Sequence, residues 1–290
     1  MKLIISSLML VLFLGCSEND DKTIVFGFIP STNIEEVESV TDSLCIQLSK
    51  ETGLKIKAFV APDYASLIES IRTKHVQIAW FAPMSFVEAE RETKLVPLLT
   101  SVRGGKPYFY SGVFVRKDRN INSIADLKGK IMGFTDPSST AGRIFPEAEF
   151  RRMGIVPETY FKQIVYLGGH DKVVSAVLDG SVDAGASFAN DTINVDNAWH
   201  QFIKSSTEAA KIKPLFFTKP IPGDVIACLE SVKKERSNEI TLLTEKLLDY
   251  SVTAEGKIFI KKLNRTDSLV PANHESYEIV REIAELVLVE

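Results

Sequence analysis

Short apolar runs alternate with amphipathic stretches over the first part of the chain. Residues 23–29, 55–60 and 76–81 are apolar runs of strand length, and an amphipathic helix is predicted over residues 64–72. A longer helix, ending before Gly53, is predicted by apolar residues at helical spacing, namely Ile34, Val37, Val40, Leu44 and Leu48. Strands that alternate with helices in this way predict a parallel sheet with both faces covered.

The alternation resumes near Tyr108 and predicts a second lobe. Its predicted strands are residues 110–116, 130–134, 163–167 and 182–186. Its predicted helices are residues 123–127, a helix ending at Met153, and residues 171–178. The chain is expected to return to the first lobe near residues 216–225, and residues 233–290 are predicted to be largely helical.

The pattern therefore predicts an α/β fold of two lobes that are joined by two crossovers. Residues 23–107 and 219–290 form the predicted first lobe, and residues 108–218 form the second. A cleft is expected between the lobes, because sheets of this kind bind ligands at the carboxyl ends of their strands.

The N-terminus has the features of an export signal. Lys2 precedes an apolar run over residues 3–14, which is too short to span a bilayer. Gly15-Cys16 resembles a bacterial lipobox, in which the cysteine is diacylated and becomes the new N-terminus. We expect residues 1–15 to be a signal peptide and residues 16–22 a lipid-anchored tether. The alternative is a plain signal peptide that is cleaved nearby.

The distribution of charge bears on whether the protein binds nucleic acid. The 290 residues carry a formal net charge of −4, and Lys and Arg are dispersed along the chain, so no nucleic-acid partner is expected.

With Cys16 acylated, two cysteines remain, namely Cys45 and Cys228. An oxidising envelope would permit a disulfide between them, but both lie in apolar surroundings and we favour two buried thiols.

The most informative segment is residues 134–143, where a predicted strand gives way to a helix through a polar turn. The first turn of a helix has N–H groups without intrahelical acceptors and carries partial positive charge. Hydroxyl groups at Ser138, Ser139 and Thr140 add donors, while Ala141 and Gly142 let a ligand approach the backbone. This combination predicts a site for a tetrahedral oxyanion that needs no buried Lys or Arg. The alternative is a simple helix cap.

Three further side chains are candidates for the same site. His170 follows a predicted strand and opens a helix, so its imidazole can donate to an anion, and protonation would strengthen that contact. Tyr64 and Tyr110 lie where a strand gives way to a helix or to a crossover. The alternatives are a surface histidine and two half-buried core aromatics.

Several segments resemble the phosphonate-type substrate-binding proteins of ABC transporters. These are residues 63–68, 76–86, 110–118 and 124–142, with residues 168–171 and 180–185. Their order and spacing cover most of residues 23–230. The resemblance implies a two-lobed periplasmic binding protein (type II) fold, a ligand cleft between two α/β domains, and uptake of a phosphorus oxyanion.

The resemblance also implies roles for individual residues. Ser139 and Thr140 match the family's hydroxyl run at the helix start, and Ala141 stands where a third hydroxyl is frequent. His170 matches the family's site histidine, and Tyr64 and Tyr110 look like its cleft tyrosines.

In the region where family members that bind aminoalkyl phosphonates pair an acid with the ligand amine, this chain has Asn190 followed by Asp191. Asn190 replaces one acid, which speaks against an aminoalkyl phosphonate. Phosphate, phosphite and alkylphosphonate stay open as ligands.

We accordingly expect a monomeric, lipid-anchored receptor without cofactor that delivers its ligand to an ABC transporter permease. The motif GxSxG is absent, the histidines show no metal spacing, and no P-loop occurs, so no enzyme is expected. A triad of Ser139, His170 and Asp171, and a ferric site of tyrosines, are weaker alternatives. An envelope sensor that signals to a membrane receptor would use the same pocket.

Overall fold

A computed structural model describes residues 22–29 and 34–288, with the side chain of residue 264 excepted. The predicted signal peptide, Cys16 and most of the tether lie outside these residues. The described residues form two α/β lobes, each built on one sheet, so the predicted two-lobed fold is confirmed. None of the described helices has the length and apolar character needed to cross a bilayer.

The first lobe contains a six-stranded sheet. Its strands are β1 (Ile24–Phe28), β2 (Ile56–Val60), β3 (Ile78–Phe81), β4 (Leu95–Val102), β11 (Val225–Leu229) and β12 (Ser268–Pro271), in the order β12-β4-β11-β3-β1-β2. Its helices are α1 (Ile34–Thr52), α2 (Tyr64–Arg72), α3 (Pro83–Glu92), α9 (Glu230–Glu235), α10 (Ser237–Val252), α11 (Ala254–Asn264) and α12 (Glu278–Leu288).

The second lobe is built on the other sheet. Its strands are β5 (Tyr108–Arg116), β6 (Ile131–Phe134), β7 (Gln163–Tyr166), β8 (Ala184–Ala189), β9 (Ile212–Phe217) and β10 (Ile221–Pro222), in the order β10-β5-β8-β6-β7 with β9 beside β5. Its helices are α4 (Phe145–Arg152), α5 (Pro157–Tyr160), α6 (His170–Asp179), α7 (Ala198–Phe202) and α8 (Ser206–Ala209).

Shorter helical turns occur in both lobes. In the second lobe, 3₁₀ turns cover Lys117–Arg119 and Ile124–Leu127, and a wide π-type turn covers Thr140–Ile144. In the first lobe, a 3₁₀ turn covers His274–Tyr277.

The sheets are mixed, and the predicted parallel pairing is correct only for part of each. β1 pairs in parallel with β2 and β3, and β6 does so with β7 and β8. The strands next to the crossovers run the other way: β11 is antiparallel to β3 and β4, and β5 is antiparallel to β8. A strand that enters a lobe from the other lobe arrives without a covering helix and pairs antiparallel.

The crossovers pack side by side. The first lies between β4 and β5, at residues 103–107, and the second lies between β10 and β11. The second boundary predicted at residue 219 is therefore too early, because β10 still belongs to the second sheet. At Gly223 a Cβ would lie 2.1 Å from the carbonyl oxygen of Ser101, so only glycine allows the two connections to approach this closely.

Three strands of the first sheet, β4, β11 and β12, are not among those predicted from the sequence. Pro97 lies within β4 and faces Ala227, next to a bulge at Leu98 of the same strand, which is where a sheet tolerates the missing N–H of proline. The cysteines of β11 and α1 are free and buried, so the preference for two buried thiols over a disulfide is confirmed.

Candidate functional site

The turn after β6 supplies the backbone donors of the site. Ser139 caps the π-type turn, because its Oγ accepts a hydrogen bond of 3.1 Å from the Gly142 N–H. The N–H groups of Thr140 and Ala141 lie in the first turn, where no carbonyl of the helix is placed to accept from them. Ser111 of β5 donates its hydroxyl hydrogen to the Ala141 carbonyl. The turn is thereby held against the sheet of the second lobe.

Gly142 has a different role from the one predicted. A Cβ at this position would lie 2.1 Å from Oγ1 of Thr135, so its missing side chain makes room for Thr135 within the second lobe. Gly142 is not among the residues that line the cavity between the two lobes, whereas Ala141 is. Of these two residues, only Ala141 is placed where a ligand in the cavity could approach the backbone closely.

The two lobes meet at this turn. Oγ1 of Thr140 accepts a hydrogen bond of 2.8 Å from the N–H of Met84, in the first turn of α3. The Tyr64 hydroxyl, at the start of α2, approaches the Ser139 side chain. Burial raises the pKa of Tyr64, so this hydroxyl stays neutral and able to donate. Side chains of both lobes thus converge on the same point.

These contacts close off an interlobe cavity of about 50 Å³. A single water needs roughly 10–15 Å³ on the same scale, so the cavity holds a ligand of a few heavy atoms. It is lined by residues of both lobes, namely Ile29, Tyr64, Trp80, Ala82, Arg103, Phe109, Ser139, Thr140, Ala141, His170, Phe188, Asp224, Leu263 and Arg265.

His170 lies at the cavity as predicted, but it is neutral. Its Nδ1 contacts the hydroxyls of Ser187 at 2.8 Å and Thr135 at 3.3 Å. Burial, with a further contribution from the nearby Arg103 guanidinium, lowers the pKa of His170 to about 3. At neutral pH His170 therefore does not carry the positive charge by which protonation would strengthen a contact with an anion. In the tautomer whose Nδ1 accepts from one of these hydroxyls, the ring proton sits on Nε2 and makes this nitrogen a neutral donor.

The sequence patterns do not predict a buried ion pair at the cavity. Arg103 and Asp224 line the cavity and form a salt bridge, with side chains only 7% and 10% exposed. The Arg103 guanidinium also lies 4.4 Å from the centroid of the Phe109 ring. Burial raises the pKa of the Asp224 carboxyl, and Arg103 opposes that shift. The site predicted from the helix start needs no buried Arg, and the Arg103–Asp224 pair at the cavity is an addition to it.

A local sequence signal for Arg103 does exist. Gly104 and Gly105 both have positive φ, and Arg103 and Lys106 pair across them as a tight hairpin. This hairpin follows β4 at the crossover and aims the Arg103 side chain into the cleft. Asp224 occupies the matching place on the other crossover, directly after Gly223.

Tyr110 and Ser138 are not among the residues that line the cavity. Successive side chains of a strand point to opposite faces, and in β5 it is Phe109 that faces the cavity, while Tyr110 packs against Tyr108. Ser138 lies outside, beside Glu88 in a groove of α2 and α3.

Asn190 and Asp191 also lie away from the central cavity. Asn190 lines a second, polar cavity together with Asp196 and Gln201. The Asp191 carboxylate accepts three backbone N–H bonds in its own loop, from residues 193, 195 and 196. Its role is therefore to shape the loop.

The hydrogen bonds of His170 bear on the alternative catalytic triad. His170 Nδ1 is engaged by Ser187 and Thr135, so the alternative triad with Ser139 and Asp171 lacks its hydrogen bonds. The described residues contain no cluster of three or more side chains suited to a metal ion. What remains is a cavity lined by hydroxyl, amide and imidazole donors with two guanidinium groups, which suits a small anion.

Fold and site together define a two-lobed binding protein that encloses a small ligand between its lobes. A model of the family described as "ABC transporter, phosphonate, periplasmic substrate-binding protein" matches residues 26–277. The chain belongs to this family, and the predicted family is confirmed. Members are substrate-binding components of transporters, in agreement with the predicted non-enzymatic role, and they act outside the cytoplasm. The sensor alternative receives no support.

Curated relatives and a solved structure agree with this assignment. The chain is 29% identical over 285 residues to the phosphate-import protein PhnD of Mycolicibacterium smegmatis, covering 93% of this chain and 87% of that protein. It is 28% identical over 254 residues to the phosphonates-binding periplasmic protein of Escherichia coli, covering 85% and 72%. PhnD1 of Prochlorococcus marinus, solved with methylphosphonate, has the same fold with a TM-score of 0.78 at 21% identity, covering 91% and 97%.

Proposed function

We propose that this protein binds a small phosphorus oxyanion, namely an alkylphosphonate, phosphite or phosphate, and presents it to the permease of an ABC transporter. The observation that carries the proposal is the ring of donors around the interlobe cavity. These donors are the N–H groups at the π-type turn, the Thr140 and Tyr64 hydroxyls and the neutral His170. Phosphoryl oxygens accept from such donors, as they do at many helix N-termini.

The charges around the cavity favour a ligand without an amine. An ammonium group needs an unpaired carboxylate, but the Asp224 carboxylate that lines the cavity is paired with Arg103. Asn190 carries no charge. Aminoalkyl phosphonates are therefore the least favoured members of the ligand class.

Ligand binding and lobe closure are coupled in this proposal. The cavity is lined by Tyr64 of α2 and by Ala82, directly before α3, in the first lobe, and by the π-type turn of the second. Separating the lobes would divide these donors between two surfaces. A ligand that contacts both sets binds the closed form more tightly and shifts the population towards it. The permease would then recognise the closed form.

The anchor and the oligomeric state belong to the same proposal. Cys16 is the expected site of diacylation, and the receptor is expected to act as a monomer at the outer face of a membrane. Replacing Cys16 by Ser should release the protein from the membrane fraction, and incorporation of a labelled fatty acid should disappear. Membrane retention of this variant would contradict the lipid anchor.

The ligand is tested by a thermal-shift panel of phosphate, phosphite, methylphosphonate, 2-aminoethylphosphonate and sulfate. A ligand at 100 times its Kd stabilises the native state by about 2.7 kcal/mol, which corresponds to roughly 5–10 °C in Tm for a protein of this size. Isothermal titration calorimetry then gives Kd for each hit. No shift with any phosphorus oxyanion, or a larger shift with sulfate, would contradict the proposed ligand class.

A further inference from the structure

Arg265 places a second guanidinium group at the ligand cavity. It follows α11 in the left-handed backbone conformation, with φ of 55°. Its side chain lines the central cavity and also the polar cavity of Asn190 and Asp196. Arg265 therefore forms part of the wall between the two cavities.

The side chain of Arg265 reaches across the cleft. Its guanidinium carbon lies 5.1 Å from the centroid of the Phe202 ring, in α7 of the second lobe. Guanidinium groups pack favourably on aromatic faces at this distance. Arg265 is thus held against the second lobe although its backbone belongs to the first, and closure sets its position.

The charge of Arg265 has no direct partner in the part of the chain that the structure describes. No described carboxylate lies within ion-pair distance of its guanidinium, whereas Arg103 is paired with Asp224. Glu36 and Asp171 act on it from longer range. Burial lowers the pKa of Arg265, and the positive charge of Arg103 adds to that effect.

The cavity wall consequently carries one more positive charge than negative. Arg103 and Asp224 balance each other, His170 and Tyr64 are neutral, and Arg265 remains. A partly buried charge without a partner is unfavourable, and an anion that enters the cavity supplies the missing partner.

We infer that Arg265 is a ligand-binding and specificity-determining residue: it matches the negative charge of the bound oxyanion from the first lobe and disfavours ligands that carry an ammonium group. This inference rests on the proposed function, since it names a residue of the same site. It goes beyond the donors around the π-type turn, because those donors carry no net charge.

Arg265→Asn and Arg265→Lys test the inference in the full chain by calorimetry with methylphosphonate and phosphate. Asn tolerates the left-handed conformation better than other non-glycine residues, so that variant is expected to fold, with an unliganded Tm no lower than that of the wild type. Removing a charged hydrogen-bonding group should weaken binding about 10- to 100-fold. Lys retains the charge without the planar fork and should recover part of this loss.

Lys261→Met is the matched control. Lys261 lines the neighbouring polar cavity on the same helix and is paired with Asp267, so its removal changes the net charge equally but should alter Kd less than threefold. Unchanged affinity in Arg265→Asn, or an equal loss in Lys261→Met, would overturn the inference while the proposed function stands. If the wild type binds none of the panel, the proposed function and the inference fail together.

Discussion

The Thr140 hydroxyl joins the two lobes through the backbone N–H of Met84, at 2.8 Å. A threonine hydroxyl has one hydrogen to donate in addition to its lone pairs. Since Oγ1 acts as acceptor towards Met84, its own hydrogen is free to point at a ligand in the cavity. One side chain is therefore positioned to serve both closure and the proposed ligand binding, and we expect the two events to be coupled through it.

Thr140→Val tests this double role. Valine keeps the volume but removes the acceptor for Met84 and the donor for the ligand. Leaving the buried Met84 N–H unpaired costs about 1–3 kcal/mol in the closed form, so we expect the affinity for the best ligand to fall at least tenfold by calorimetry. Thr140→Ser retains the hydroxyl and should bind within about threefold of the wild type. Equal affinity of the Val variant and the wild type would contradict the role of Thr140.

His170 should make the unliganded protein acid-sensitive. Its pKa falls from the model-peptide value of 6.5 to about 3 on folding, so the unfolded state binds a proton that the folded state does not. Stability is fully present above pH 6.5 and is lost as the pH falls towards 3. At pH 5 the loss from this residue alone amounts to about 2 kcal/mol.

His170→Gln should flatten the fall in the free energy of unfolding between pH 7 and 5, as measured by urea denaturation. The same substitution at exposed His200 serves as the control and should leave the slope unchanged. A His170→Gln slope equal to that of the wild type would show that the imidazole is not buried in its neutral form.

The parts of the site that are local in sequence could be predicted. The segment of residues 134–142 combines a strand end, a proline and hydroxyl residues, a pattern that predicts either a helix cap or an oxyanion site. Ser139 acts as the helix cap, while Thr140 and Ala141 line the cavity. His170 was found for the same reason, because it opens α6 directly after a strand.

The long-range parts could not be predicted. Arg103 and Arg265 come from turns that are far apart in sequence, and no periodicity links a turn residue to a distant cavity. In β5 the residues Tyr108, Phe109 and Tyr110 are all aromatic, so alternation of polar and apolar positions gives no indication of which face is turned to the ligand. The mixed sheets have a similar cause, since strand direction at a crossover depends on the other lobe.

The two buried thiols should be inert in the native state. Cys45 and Cys228 are at most 2% exposed. Burial raises the pKa of Cys45 to about 12, with Asp42 contributing, and that of Cys228 to about 11. The reactive thiolate is therefore scarce at neutral pH.

Cys16→Ser leaves Cys45 and Cys228 as the remaining cysteines of the three. We expect almost no reaction of this variant with Ellman's reagent in native buffer and two equivalents in guanidinium chloride without reductant. No thiol in denaturant would indicate a disulfide, and fast native reaction would contradict burial.

Glu88 provides a pH-dependent contact at the rim of the cleft. It lies on α3 of the first lobe beside Ser138 of the second, and its Oε2 is buried without a hydrogen-bond partner. Burial raises the pKa of Glu88 and the negative charge of Asp136 adds to this, while Ser138, Arg143 and Arg91 act in the opposite direction. Part of this burial comes from the opposite lobe, so we expect closure to favour the protonated carboxyl.

This contact should make ligand affinity depend on pH. A raised pKa in the closed form means that closure is aided at low pH and that the aid is lost as the pH rises through that pKa. Glu88→Gln imitates the protonated form at every pH, so the ratio of wild-type Kd to variant Kd should increase from pH 5 to pH 8. The ratio cancels the titration of the ligand itself, which is the same in both measurements.

The control is Glu92→Gln, on the exposed side of the same helix, which should give a ratio of wild-type Kd to variant Kd that does not change with pH. A constant ratio for Glu88→Gln as well would mean that this carboxylate takes no part in closure.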